Sequence, residues 1–440
     1  MLNKLILIMF VMLLGMSDGW ARIQINLDAP DASPLPIAVP DFHAVRNSDT
    51  QLAADIAKVV RQNFHHSAMF NMLDQQAYLQ DPETLAIAGP MYQDWRLINA
   101  DAVIGATVRQ VVQGGAEKVQ VDFRLFDVQA EKVIIGRRYT IDRNFWRHAA
   151  HKISDDIYSE LTGEPGYFAS RIVHIAENKG PDGQIQKRLC VMDQDGANYK
   201  CLTNGDHLVL TPRFNRQLQK VIYMSYASGK PRLYLLDLPT GQQEIVGDFE
   251  GLNSSPRFHP NGERVAMTLT KGHEGNPEIY TMDLNTRTLQ RLTNFRGIDT
   301  SPDYSPDGQQ IVFNSTRAGK PALYIMNADG TETRRLTYGK GQYFAPTWSP
   351  RGDLIAFVKL LNGTFHIGVI DPQGNEERLL TDAFMDESPT WSPNGRVLAF
   401  ARQTHDGRTR IYSIDLTGYN LRELPTPQDA SDPAWSPVVQ

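Results

Sequence analysis

The sequence predicts a multidomain protein with an N-terminal α/β domain and a C-terminal all-β six-bladed β-propeller. Two short signatures recur in phase from Arg171 to the C-terminus, at a spacing close to 44 residues, and together they predict the propeller. Residues 22–163 lack both signatures and mix helical with strand periodicity, which predicts a separate domain.

The first signature is Pro-x-aromatic-x-Pro-x-Gly. Its copies begin at Pro212, Pro256, Pro302, Pro346, Pro389 and Pro433, in steps of 44, 46, 44, 43 and 44 residues, and the first and last copies are incomplete. Proline presets φ and glycine accepts a positive φ, so Pro-Asp-Gly and Pro-Asn-Gly favour tight turns. We therefore interpret the signature as a structural turn that leads into a strand.

The second signature is a short apolar strand that ends in Asp or Asn. Its copies end at Asp193, Asp237, Asp283, Asn327, Asp371 and Asp415, each 18 or 19 residues before the next first-signature proline. Strands such as Ile311–Phe313 lie between the signatures, which gives four strands per copy and hence one propeller blade. A blade cannot bury both faces alone, so the copies must stack around an axis.

The two ends of the repeat predict how the ring closes. The first blade begins near Ile172 without a preceding copy of the proline signature, whereas Pro433-Ala434-Trp435-Ser436-Pro437 is an unpaired copy at the C-terminus. The simplest interpretation is that the C-terminus supplies the missing element beside the first blade. This makes the expected blade count six and not seven.

The N-terminal domain is predicted to be a small α/β unit over residues 22–163, followed by a linker over 164–170 and the propeller over 171–440. Its predicted elements are a strand over 22–27, a helix over 51–64, strands over 103–112 and 119–126, and a helix over 145–161 that stops at Gly163. Gly163-Glu164-Pro165-Gly166 indicates the linker.

The first 21 residues are predicted to be a cleaved secretory signal peptide. Lys4 precedes an apolar run over Leu5–Leu14, and Gly19 and Ala21 supply small residues for cleavage after Ala21. The alternative is a membrane anchor, but the run is short of the roughly 20 residues that span a bilayer. No later segment has the pattern of a membrane span, so export without direct membrane insertion is expected.

Cys190 and Cys201 are the two cysteines of the chain. Asp195-Gly196 between them is a strong two-residue hairpin turn, and a hairpin with that tip pairs positions whose numbers sum to 391. The two cysteines would then face each other, and an oxidising compartment would permit a disulfide. Two free, half-buried thiols remain the alternative.

Several functions are disfavoured by the sequence. A net charge of −6, from 44 basic and 50 acidic residues, gives no basic excess for nucleic acid. Gly15-Met16-Ser17-Asp18-Gly19 matches a nucleophile elbow but falls in the signal peptide, outside the strand–turn–helix setting that the motif needs. The pair His65-His66 and the segment Asp193–Gly196 lack the spacing of metal sites. No catalytic, cofactor-binding or metal-binding residue is predicted.

Segments outside the repeat resemble those of a known family. They are Arg22-Ile23-x-Ile25, Phe70-Asn71-x-Leu73-Asp74, Asp101-Ala102-Val103-x-Gly105 and Arg147-x-Ala149-x-His151-x-x-Ser154-Asp155, the last leading into Leu161-Thr162-Gly163. The repeat is similar to the WD40-like repeat of the TolB family and of prolyl-oligopeptidase relatives. Over essentially the whole mature chain the arrangement resembles the TolB family, periplasmic components of the Tol-Pal system of Gram-negative bacteria.

The resemblance implies binding and not catalysis. It implies that a propeller face holds Pal, the peptidoglycan-associated lipoprotein, that the mature N-terminus engages TolA, and that the system maintains the outer membrane, supports constriction at division and is exploited by colicins and phages. The matching Pal-face residues are Leu252, Asn253, Ser255, Thr300, Asp386 and Glu387, and the matching TolA segment is Arg22, Ile23, Gln24 and Ile25. Position 252 departs from the family, which often has histidine there.

Other interpretations stay open at this stage. The six Pal-face residues could serve only as loop caps. The protein could be a propeller hydrolase or lyase, although no hydrolase domain with a catalytic serine and no cluster of histidines is apparent in the sequence. A purely structural envelope protein is the third alternative.

Overall fold

A computed structural model describes residues 23, 25, 33–180, 183–215, 219–249, 253–271, 275–418 and 420–439. The predicted signal peptide over residues 1–21 lies outside the described residues, as do Arg22, Gln24 and Leu252. Of the predicted strand over 22–27, only Ile23 and Ile25 are described.

Among its described residues, the N-terminal region combines one mixed sheet with four α-helices. The helices are α1 Thr50–Ser67, α2 Pro82–Ala88, α3 Tyr92–Leu97 and α4 Trp146–Thr162, and the strands are β1 Leu35–Ala38, β2 His43–Ala44, β3 Phe70–Met72, β4 Ala102–Gln113, β5 Ala116–Asp127 and β6 Lys132–Asp142. The sheet order is β3-β1-β4-β5-β6, with β2 beside β4. The helices predicted over 51–64 and 145–161 correspond to α1 and α4, and α4 ends at Gly163 with a left-handed φ of 75°.

Helices α1 and α4 pack together because each buries one apolar face. Ile56, Val60 and Phe64 of α1 and Ile153 and Ile157 of α4 are fully buried in one hydrophobic cluster. The same cluster continues into residues of the propeller. The N-terminal region and the propeller therefore share a core.

The remaining strands form the propeller. In chain order they are β7 Arg171–Lys179, β8 Ile185–Asp193, β9 Lys200–Cys201, β10 Val209–Phe214, β11 Lys220–Ser225, β12 Arg232–Asp237, β13 Gln243–Gly247, β14 Asn253–Phe258, β15 Arg264–Thr270, β16 Pro277–Asp283, β17 Leu289–Arg291, β18 Asp299–Tyr304, β19 Gln310–Ser315, β20 Ala322–Asn327, β21 Arg334–Arg335, β22 Gln342–Trp348, β23 Ile355–Leu361, β24 Thr364–Ile370, β25 Arg378–Leu379, β26 Met385–Trp391, β27 Val397–Gln403, β28 Thr409–Asp415, β29 Arg422–Glu423 and β30 Asp429–Trp435.

These strands form four four-stranded sheets and one eight-stranded sheet. The four-stranded sheets are β10–β13, β14–β17, β18–β21 and β30-β7-β8-β9. The eight-stranded sheet consists of β22–β25 and β26–β29, joined by the single parallel pair Phe365 and Met385. Because β30 pairs with β7, one sheet contains both the first and the last strand of the propeller region.

The proline signature occupies a strand and not only a turn, which differs from our expectation. The first proline of every copy lies within β10, β14, β18, β22, β26 or β30, which we call the inner strands. In each inner strand, the pairing register shifts at the first proline and the residue before it, which form a β-bulge. The residue before the proline has a left-handed φ of 44–55° in all six copies. The bulge leaves the proline outside the hydrogen-bonded ladder, so its missing N–H costs nothing there.

The β8–β9 hairpin pairs Cys190 with Cys201, and their sulfur atoms form a disulfide. The connection runs over residues 194–199 and is longer than the predicted two-residue turn. Asn198, with a φ of 52°, donates from Nδ2 to Asp193 at 2.6 Å. This side-chain bond organises the longer loop while the register still pairs positions that sum to 391.

Candidate functional site

The six inner strands give the propeller two distinct ends. We call the end at which these strands begin the front face, and the end at which they finish, in the Pro-x-Gly turns, the back face. All six surround one central cavity, whose lining includes residues from each copy of the signature. The five predicted Pal-binding residues that the structure describes lie at or just before the bulges and hence at the front face.

The predicted Pal-face residues differ in their exposure. Asn253 begins β14, Ser255 is the residue before its proline, and Thr300 in β18 is half-buried with Oγ1 3.4 Å from Asn314 Oδ1. Glu387 is exposed at the rim of a cavity of about 260 Å³, where partial desolvation and then the charge of Asp432 raise the pKa of its carboxyl.

Asp386 is fully buried, unlike Glu387 beside it. Its two carboxylate oxygens accept from Nε and Nη2 of Arg402 at 2.7 and 2.8 Å. A bidentate pair of this kind fixes both side chains. Asp386 therefore fixes Arg402 across the β26–β27 pair, and both of its own oxygens are already used.

Sequence reasoning missed a set of exposed apolar side chains at the front face. They precede the inner strands of three different sheets and are Leu208 (39% exposed), Ile298 (46%), Tyr338 (73%) and Phe384 (39%). Exposed apolar side chains at one end of a scaffold offer contact area to a partner. The available signal was an apolar residue four or five positions before the signature proline, as at Leu208, Ile298 and Phe384.

Part of the back face is covered by the chain itself. Glu164 accepts from Nη1 of Arg351 and Nε of Arg396, both at 2.7 Å, and these arginines lie in the turns after β22 and β26. Trp435 at the end of β30 donates from Nε1 to Ser170 Oγ at 2.8 Å. The segment over residues 164–170 thus fastens the N-terminal region to this end.

The described part of the N-terminal segment lies against the protein. Ile25 is 8% exposed, and its N–H donates to the carbonyl of Leu161 at 2.7 Å, near the end of α4. Ile23 packs against the same hydrophobic cluster. Two of the four predicted TolA-binding residues are therefore docked, and the other two lie outside the described residues.

A buried polar network joins α1 and α4 to the β8–β9 hairpin. Asn63 donates from Nδ2 to His151 Nδ1 at 3.0 Å and accepts at Oδ1 from Gln194 Nε2 at 3.0 Å. His151 is 2% exposed, and burial lowers its pKa from 6.5 to about 4. The neutral ring therefore carries its proton on Nε2, since Nδ1 accepts from Asn63.

The same network holds the one group of metal-type side chains among the described residues. Ligand atoms of His151, Asp193 and Asp195 lie within 4.8 Å of one another. Arg147 already donates to the Asp195 carboxylate, and Asn198 donates to Asp193. These donors occupy the oxygens that a cation would need, so the group forms a hydrogen-bonded junction between the two regions. In the described part of the chain, no helix is long and apolar enough to cross a membrane.

Comparisons with known proteins agree over both regions. The TolB beta propeller domain model matches residues 158–439, and the TolB amino-terminal domain model matches residues 23–134. A Tol-Pal system protein TolB from Paramagnetospirillum magneticum is 46% identical over 232 residues, which are 53% of this chain and 51% of that protein. One from Rickettsia canadensis is 43% identical over 266 residues, 60% of this chain and 59% of that protein. The matched part thus spans about half to three fifths of these relatives.

A solved structure extends the likeness over nearly the whole chain. The crystal structure of TolB from Acinetobacter baumannii is 30% identical with a TM-score of 0.81, and the match covers 94% of this chain and 100% of that one. At this identity and coverage the likeness concerns the family as well as the fold.

Proposed function

This chain belongs to the TolB family, and on that premise we propose that it is a non-catalytic periplasmic scaffold of the Tol-Pal system. It binds Pal through the front face and TolA through the mature N-terminus, maintains the outer membrane and supports constriction at cell division. The observation that carries the proposal is the family match over both regions, combined with apolar side chains that are exposed at the front face among the described residues.

The proposed Pal site combines the front-face loops with the apolar side chains around them. Asn253, Ser255, Thr300 and Glu387 would contact Pal directly, together with Leu252. Asp386 would act through Arg402, because both of its oxygens are bonded to that guanidinium. Ile298 and Phe384 would add apolar contact area. Their contact with Pal would exclude water from the polar residues beside them and so strengthen the hydrogen bonds of those residues.

The proposed TolA segment has two competing positions. A partner that pairs with this segment as a strand would need the backbone N–H of Ile25 and the side chains of Ile23 and Ile25. In the structure, that N–H donates to the carbonyl of Leu161, and both side chains pack into the hydrophobic cluster beside α4. TolA binding would therefore require the segment to leave the protein surface. A peptide of residues 22–33 should then bind TolA more tightly than the full chain does, and equal affinities would contradict the competition.

The domain boundaries and the blade count are part of the same proposal. We propose a cleaved segment over 1–21, a domain over 22–163, a linker over 164–170 and six blades over 171–440. Four four-stranded sheets and an eight-stranded sheet joined by one residue pair support a count of six.

Binding of the cognate Pal tests the proposal. Isothermal titration calorimetry should give saturable binding of Pal to the wild-type chain. Thr300→Arg should weaken the affinity about tenfold or more, because the larger side chain at this half-buried position clashes with Pal and its charge must be desolvated. Thr333→Arg is the matched control, since Thr333 is exposed on the back-face loop between β20 and β21. No binding by the wild-type chain, or equal affinities of both variants, would contradict a front-face Pal site.

A further inference from the structure

The central cavity of the propeller has an uneven charge distribution. Its volume is about 170 Å³, and its wall includes aromatic and proline side chains of the repeated signature. The residue after the first proline of each copy faces this cavity. Around the ring these residues are Arg213, Arg257, Asp303, Thr347, Thr390 and Ala434. Two neighbouring copies therefore direct arginines into one half-open cavity.

Both arginines keep hydrogen-bond donors without an acceptor within the described part of the chain. Nη1 of Arg257 and Nε of Arg213 are buried and have no partner. Arg213 uses Nη1 to donate to the carbonyl of Pro212 at 2.6 Å. A buried donor without a partner is costly, so an acceptor in the cavity would be favoured.

The carboxylates nearby do not fill this need. Asp303 Oδ1 lies 3.5 Å from Nε of Arg257, and its Oδ2 already accepts from Thr347 Oγ1 at 3.0 Å and from the N–H of Trp348 at 2.8 Å. Asp432 accepts from Ser388 Oγ at 2.9 Å. Burial lowers the pKa of the Arg257 guanidinium even though Asp303 and Asp432 act in the opposite direction.

We propose that the central cavity binds a small oxyanion, a carboxylate or phosphate group, between Arg213 and Arg257. Guanidinium groups present planar sets of donors that match such oxygens, and the apolar wall strengthens each charge-assisted bond. A water molecule occupies about 30 Å³ in the liquid, so the cavity has room for one such group with a few waters. The bound anion would bridge the β10 and β14 copies of the repeat.

Titration of the full chain with inorganic phosphate, and separately with acetate, at constant ionic strength tests this site. Calorimetry should give saturable binding of at least one of the two anions to the wild-type chain. Arg257→Gln and Arg213→Gln should each weaken it about tenfold or more, because each removes charge-assisted hydrogen bonds. Arg287→Gln is the matched control, since Arg287 pairs with Glu244 outside the cavity.

The outcomes separate the proposal from its alternatives. Affinity that falls in both cavity variants and persists in Arg287→Gln supports the site. The anion that binds more tightly then shows whether the site prefers a phosphate or a carboxylate group. Equal heats for all four proteins would mean that ions bind the surface nonspecifically and would overturn it. No saturable binding of either anion would mean that water alone fills the cavity, which also overturns it. Arg257→Lys, which keeps the charge, should give an intermediate affinity if Arg257→Gln fails to fold.

Discussion

The two faces of the propeller are built from opposite ends of the same repeated strand, yet they differ in what covers them. At the back face, Glu164 and Trp435 are bonded to partners in the opposing region, and apolar side chains join a shared core. At the front face, apolar side chains such as Ile298 and Phe384 stay exposed. A repeat therefore fixes the scaffold, and the residues that vary at its two ends decide which face joins the N-terminal region and which exposes apolar side chains.

The largest expected contrast comes from removing one aromatic ring at each face. Trp435→Ala should lower the free energy of unfolding by about 3–5 kcal/mol, because it opens a cavity beside Tyr167 and removes a hydrogen bond to Ser170. Phe384→Ala at the front face should cost less than about 1 kcal/mol, as exposed positions do. Urea denaturation of both variants measures the difference. Similar losses of unfolding free energy would contradict the claim that the two faces differ in what packs against them.

Acid should weaken the junction between α4 and the β8–β9 hairpin. In the folded chain, burial lowers the pKa of His151 to about 4, whereas the unfolded chain takes up that proton near 6.5. The unfolded state thus binds more protons as the pH falls from 6.5 to about 4, and stability is lost across that window.

The variant His151→Gln isolates this effect. Between pH 6.5 and pH 4, the free energy of unfolding should fall by roughly 1–3 kcal/mol less in His151→Gln than in the wild type. His65→Gln changes an exposed histidine of α1 and serves as the control. Identical pH profiles for wild type and His151→Gln would mean that His151 does not stay neutral in the folded chain.

The smallest expected effect concerns the ion pairs of Glu164. Glu164→Gln should cost about 1 kcal/mol in unfolding free energy, since the two arginines keep a neutral acceptor but lose the opposing charge. Glu332→Gln, at an exposed back-face loop, should change stability by less than about 0.5 kcal/mol. Equal effects in thermal or urea unfolding would show that Glu164 does not fasten the back face.

Local features could be predicted from the sequence, and assembled features could not. The helices α1 and α4 followed from apolar spacing, and the pairing of Cys190 with Cys201 followed from symmetry about one hairpin. The β-bulge at each first proline could not be predicted in this way. Turn preferences describe the Pro-x-Gly turn, but they say nothing about the strand pairing that the first proline interrupts. The family resemblance selected Asp386 but not its burial against Arg402, which comes from the neighbouring strand β27.

The candidate site shows the same limit. Positions before the prolines could be chosen from the family resemblance, whereas the exposure of Leu208, Ile298 and Phe384 depends on how the blades surround the axis. The docking of Ile25 beside Leu161 depends on the end of a helix more than a hundred residues away in sequence. The apolar residues before the prolines are visible in the sequence, but neither their exposure nor the docking of Ile25 follows from local composition.

Hydrogen–deuterium exchange of the chain with and without its cognate Pal tests the central claim most directly. The account predicts protection in the front-face segments over residues 205–212, 295–302, 338–346 and 383–389, with no change in the Pro-x-Gly turns of the back face. Protection confined to those turns or to the N-terminal region would contradict a front-face partner site.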